Sequence, residues 1–112
     1  MHEVVARVNC ASLLSALESE LKRRQQWAKA PPAAERMNST LPFAVDKLAL
    51  EEWLQFVFIP RLRQILDAGM ALPRGAGLAP YAEVVFRDDL DAAAGLLALL
   101  RELDRTLSGV SH

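Results

Sequence analysis

The chain has 112 residues, 52% of them hydrophobic and 24% charged, with a formal net charge of −1. That is enough for one domain with a modest core, and the balance excludes a broadly basic nucleic-acid-binding surface. The single cysteine, Cys10, excludes an intrachain disulfide and suits a reducing cytoplasm, and the N-terminus lacks the basic-then-apolar pattern of a secretory leader.

Residues 3–27 read as a first helix. Val4, Val8, Ala11, Leu14, Leu17 and Leu21 recur every three or four positions and predict a core-facing stripe, with Cys10 at its edge. The helix closes on Lys22, Arg23, Arg24 and Trp27. Cations suit a helix C-terminus, so this cluster reads first as a solvated last turn. Its functional reading, phosphate contact with a base stacked on Trp27, runs against the overall acidity.

Pro31 and Pro32 forbid a continued helix and open a long connector. Asn38, Ser39 and Thr40 favour turns there, because their side chains bond nearby backbone. They also match a glycosylation sequon, which without a leader reads as accidental. Phe43 and Val45 are expected to tuck the connector against the core.

Residues 50–68 read as the central helix. From Trp53 to Ile59 only Gln55 is polar, so apolar side chains point all round, as in a helix covered on several sides. Glu51 and Glu52 suit its positive end. Leu62, Ile65 and Leu66 continue the helical spacing, and Gly69 is a natural left-handed stop. Trp53, Leu54, Phe56 and Val57 are expected to lead the core. The interior Pro60 predicts a kink. The apolar run is far too short to cross a bilayer.

Gly and Pro mark residues 69–79 as a loop. Pro80 then suits a first helical turn, giving a short helix over 80–87. Arg74 with Gly75 and Gly77 before that start suggests an anion site in miniature, but the Walker lysine and a preceding strand are missing. Asp88 or Asp89 suits the cap of a last helix over 89–108, with Leu90, Ala93, Leu97, Leu100, Leu103 and Leu107 inward and Gly109 as its stop. No segment alternates with period two. The expected fold is all-α: a compact, four-helix bundle-like single domain over 1–112 with long ordered connectors.

The residues argue against common chemistries. Histidine occurs only at His2 and His112, so a serine or cysteine nucleophile lacks a base. No Cys/His set predicts zinc, and no Glu-x-x-His pair predicts a di-iron bundle. No catalytic residue, metal or cofactor is assigned, and the balance favours a binding module over an enzyme.

Asn38-Ser39-Thr40-Leu41-Pro42-Phe43, Glu52-Trp53-Leu54-Gln55-Phe56, Ile59-Pro60-Arg61 and Ala79-Pro80-Tyr81 together resemble the YqcC-like family of small bacterial proteins. The resemblance runs from about Trp27 to Phe86. It implies a compact helical bundle and a genomic association with a tRNA pseudouridine synthase. It carries over no catalytic residues.

The leading expectation is therefore a noncatalytic accessory module with a protein partner, an RNA-modifying enzyme being the candidate. Its candidate contacts are Trp27, Asn38, Thr40, Phe43, Arg61, Arg74 and Tyr81. The rival is a ligand pocket beside the central helix, using Glu52, Gln55, Arg61 and Tyr81 as its polar groups. Direct RNA binding through Lys22, Arg23, Arg24 and Trp27 is the third and weakest reading.

Overall fold

A computed structural model describes residues 2–75 and 77–108. Gly109 and His112, and the side chains of His2 and Glu3, lie outside the described residues. Among the described residues all regular structure is helical. Helix α1 is His2–Arg23. Helix α2 covers 50–67 in three joined parts: an α turn Leu50–Trp53, a π turn Leu54–Phe58 and an α segment Ile59–Asp67. Helix α3 is Leu78–Val85 and α4 is Ala94–Ser108. Two short 3-10 turns, Ala34–Met37 and Pro42–Ala44, order the long connector. The radius of gyration is 13.9 Å. That is close to the ~13 Å of a compact chain of ~100 residues, so the connectors fold over the helices rather than trailing from them.

Helix α1 packs on α4 and on the second half of α2, and α3 packs on α4. Leu14, Leu17 and Leu21 meet Leu96, Leu100, Leu103 and Leu107 across a buried seam, with Leu54, Ile59, Leu62 and Leu78 closing it. Each such leucine contributes roughly 1.5–3 kcal/mol by leaving water.

The stripe on α1 differs from its expected course. Cys10 is fully buried, whereas Val4 and Val8 are 61% and 63% exposed. The true stripe is Cys10, Leu14, Leu17 and Leu21, and one step further back on it falls Arg7. Arg7 ends the apolar face and donates instead to the carbonyls of Met70 and Ile65, at 2.7 and 3.4 Å. It thereby ties the start of α1 to the C-terminal end of α2, where cations are favoured.

The end of α1 also comes early. The helix stops at Arg23 because Gln25 adopts φ 60°, while the Gln26 N–H reaches the Leu21 carbonyl at 2.8 Å. This is a Schellman-type closure in which glutamine holds the position that glycine usually takes. Gly69 closes α2 in the same way at φ 68°, with the Met70 N–H on the Ile65 carbonyl at 3.0 Å.

Pro60 is accommodated by the π turn. It has no N–H for the Phe56 carbonyl, and its ring would crowd that oxygen. The Ile59 N–H bonds the Leu54 carbonyl, five residues back. The widening also sets which residues are inside. Leu50 and Leu62 are twelve residues apart, which on a plain α-helix leaves them about 120° out of line. One extra residue in a turn takes back about 100°. Leu50, Leu54, Phe58 and Leu62 therefore share a buried face, joined by Ile59 and Gln55. Phe56 and Val57 are only half-buried and do not lead the core.

The last two helices start where local bonding allows. Helix α3 begins at Leu78, two residues before Pro80, after Gly77 at φ 73°. Helix α4 begins at Ala94, five residues later than expected. Hydrogen bonds from Asp89 N–H to the Phe86 carbonyl and from Ala93 N–H to the Asp89 carbonyl form turns ahead of it. Leu90 lies in those turns, outside the helical phase that aligns Leu97 to Leu107, and is 45% exposed.

Candidate functional site

The site begins with the connector, which polar clamps fix to α2. The Gln55 carboxamide accepts from the Ala28 N–H and donates to the Ala28 carbonyl, both at 2.8 Å. Glu52 reaches back to the Ala49 N–H at 2.9 Å, one half of a capping box, the other half being impossible for alanine. It also pairs with Arg36 at 2.6 Å, and Arg36 donates to the Lys47 carbonyl. The bond from Ala49 foremost, then Arg36, holds the Glu52 carboxyl below the usual carboxylate range. Ser39 bonds Asp46 and accepts from the Leu41 N–H.

This scaffold delivers Phe43 to α2 at a backbone cost. Phe43 and Ala44 have φ of 58° and 49°, a left-handed conformation that costs an L-residue roughly 1–2 kcal/mol. The strained turn places the Phe43 ring between two others. It stacks on Tyr81 with centroids 4.5 Å apart and planes 5° from parallel. It meets Trp53 edge-on at 5.0 Å, and Trp53 in turn stacks on Phe58 at 5.4 Å. Such pairs are worth about 0.5–1.5 kcal/mol each beyond buried area, which offsets the strain. Tyr81, Phe43 and Trp53 remain half-buried, so the file of rings runs from the core to the surface.

At its inner end the file borders a pocket of about 130 Å³, lined by Trp53, Phe58, Leu62, Pro73 and Leu107 with Arg61 and Arg74. Both arginines are exposed. Neither makes a hydrogen bond or ion pair among the described residues, whereas Arg63 beside them pairs with Glu18 at 2.8 Å. The pocket thus joins an apolar, aromatic wall to two uncompensated guanidiniums.

The predicted site residues divide accordingly. Phe43 and Tyr81 meet in the file, and Arg61 and Arg74 meet at the pocket. Gln55 is buried, with its amide used on Ala28, and Glu52 is used on Ala49 and Arg36. Asn38 and Thr40 are exposed on the connector. Trp27 packs partly against the core, with the Lys22 ammonium 5.2 Å from its ring centre. Lys22 and Arg23 pair with Glu18 and Glu20, and Arg24 donates to the Ala92 carbonyl at 2.6 Å. The basic cluster is therefore largely neutralised within the chain.

Sequence reasoning missed Phe58, Leu62, Pro73 and Leu107 as lining residues. The proximity of Pro73 and Arg74, one loop away, had no signal in the sequence. It also missed the anion at the start of α3, which is the chain's own Asp104. Its carboxylate accepts from the Leu78 and Ala79 N–H groups at 2.9 and 2.8 Å. The miniature anion site is filled from within, and Arg74 faces the pocket instead. Among the described residues no three His, Cys, Asp or Glu side chains are placed to hold a metal ion, and no helix is long and apolar enough to cross a membrane.

These features define a small protein, all-helical among its described residues, with an aromatic–arginine face beside a pocket. Residues 9–106 match the family described as DUF446, tRNA pseudouridine synthase C, and the chain belongs to that family. It is 41% identical over 91 residues to the uncharacterised protein YqcC of Escherichia coli, covering 81% of this chain and 84% of that one. An uncharacterised protein of Haemophilus influenzae is 38% identical over 92 residues, covering 80% and 87% of the two chains. The solution NMR structure of E. coli YqcC superposes with a TM-score of 0.79 at 35% identity, covering 99% of this chain and 92% of that one. The resemblance in the motifs and the all-α fold are thereby both confirmed. A protein of Pectobacterium carotovorum named tRNA pseudouridine synthase C is 47% identical over 58 residues, which are 52% of this chain but only 15% of that one.

Proposed function

We propose that this chain is a noncatalytic accessory protein that binds a tRNA pseudouridine synthase in the cytoplasm, through the face carrying Tyr81, Phe43, Trp53, Arg61 and Arg74. The observation that carries this reading is the strained delivery of Phe43. Backbone strain concentrates where a surface has a task, and aromatic and arginine side chains dominate binding hot spots. The family's description and the stretch shared with a much longer synthase-named chain support the choice of partner. The small-ligand reading is weaker. A pocket of about 130 Å³ is below the ~300–1,000 Å³ typical of small-molecule sites, and Glu52 and Gln55 are used within the fold.

The test is direct. Purified chain and purified tRNA pseudouridine synthase C from one bacterium are mixed and followed by sedimentation velocity, with and without tRNA. A faster-sedimenting complex is expected, lost on Phe43→Ala. Independent sedimentation of the two proteins under both conditions would overturn the proposal.

A further inference from the structure

We infer that the pocket between α2, the loop segment of Pro73 and Arg74, and α4 takes one aromatic side chain of a partner protein, with a carboxylate of the same segment held by Arg61 and Arg74. This rests on the accessory-protein reading and deepens it by naming the chemistry of the docking segment.

The size of the pocket points to its occupant. An apolar cavity of about 150 Å³ accepts a single benzene ring, so the volume here, about 130 Å³, suits one ring and little more. The wall offers Trp53, Phe58, Leu62, Pro73 and Leu107, whose side chains supply no hydrogen-bond acceptor for a base edge. Trp53 and Phe58 are themselves braced by the ring file, so the wall is set before a ligand arrives. Fixing a binding surface in advance lowers the ordering cost of association.

Charge supplies the second half. The chain has 13 Lys and Arg residues. Lys22, Arg23, Arg36, Arg63, Arg101 and Arg105 pair with carboxylates. Arg7, Arg24 and Lys47 donate to backbone carbonyls. Of the remaining Lys29, Arg61, Arg74 and Arg87, two meet at one pocket. Guanidinium forks bind carboxylates with paired, charge-assisted hydrogen bonds. Single-stranded RNA would also stack and pair with arginine, but it needs a basic track along its backbone. Here the flanking cations are neutralised.

The probe is a short peptide with one phenylalanine between two aspartates, titrated into 15N-labelled protein. Shift changes are expected to centre on residues lining the pocket. Replacing the phenylalanine by alanine, or both aspartates by asparagine, is expected to weaken binding about tenfold or more. The exposed double variant Arg61→Glu with Arg74→Glu is expected to lose about a hundredfold while its thermal midpoint stays unchanged. Equal binding by the asparagine peptide, shifts away from the pocket, or tighter binding of a single-stranded RNA oligomer would each overturn the inference. A synthase complex that survives the double variant would also overturn it, leaving the accessory role intact. Peptide binding without any synthase complex would sink the partner assignment and leave the pocket chemistry standing.

Discussion

The seam between α1 and α4 and the face built on α2 are held by different forces. In the seam, leucines from Leu14 to Leu21 lie fully buried against leucines from Leu96 to Leu107. Their contribution is non-directional, and neighbours of similar volume could replace them. On the other face, half-exposed rings are positioned by Gln55, Glu52 and Arg36 and by a backbone turn that L-residues avoid. The first region stabilises the fold at little cost. The second uses directional bonds and strain to hold a surface that water could have covered. That asymmetry supports the binding role proposed for the second region.

The contrast can be broken most sharply in the seam. Leu100→Ala is expected to lower unfolding free energy by about 2–5 kcal/mol in urea titration, because a closed core leaves a cavity. Gln55→Leu removes both bonds to Ala28 and is expected to lose about 1–2 kcal/mol. It should also speed hydrogen exchange in the connector while leaving α1 and α4 protected. A loss shared equally by the seam would show that the two regions do not behave separately.

Gln25 and Phe43 give a finer comparison, since both carry the same backbone strain. Gln25→Gly is expected to raise stability by about 1 kcal/mol, because the exposed glutamine side chain does little else there. Phe43→Gly relieves equal strain but deletes two ring contacts, so it is expected to destabilise. Thermal midpoints of the two variants decide the matter by their opposite signs.

The smallest effect is on pH dependence. Glu52 is held low chiefly by the Ala49 N–H, Glu18 by Lys22 and Arg63, and Glu20 by Arg23. Each carboxyl binds its proton more readily in the unfolded chain. The stability they contribute is complete above the usual glutamate value of about 4.3. It is lost as pH falls through their lower folded values. Glu52→Gln keeps an acceptor for Ala49 and is expected to make the urea midpoint less sensitive to acid below that value. An unchanged acid slope would show that Glu52 contributes no acid-sensitive stability.

The sequence made the helices legible because their apolar spacing is periodic, and Gly69 announced its stop by its type. It left the end of α1 and the start of α4 unmarked. Gln25 resembles any helical glutamine, and Asp89 bonds through its backbone rather than as a side-chain cap. Among site residues, Phe43, Arg74 and Tyr81 stood out as aromatic or cationic groups near turns, and Arg61 as the cation after the interior Pro60. Their convergence did not, because it depends on a left-handed phenylalanine and on loop closure. Gln55 looked like a ligand contact for the same reason that it is a clamp: it is the one polar group in an apolar run.

The bulge ahead of Pro60 acts on the outside of α2 as well as on its core. Trp53 and Arg61 are eight positions apart, which on an unbroken helix would splay them by about 80°. Adding a residue to one turn brings them to within about 20°, so both border the same hollow. The same sequence wound as a regular α-helix would keep every side chain, yet aim the guanidinium away from the indole. Spacing here is a gear tooth: the proline that forbids a regular spiral also sets the bearing of the cation.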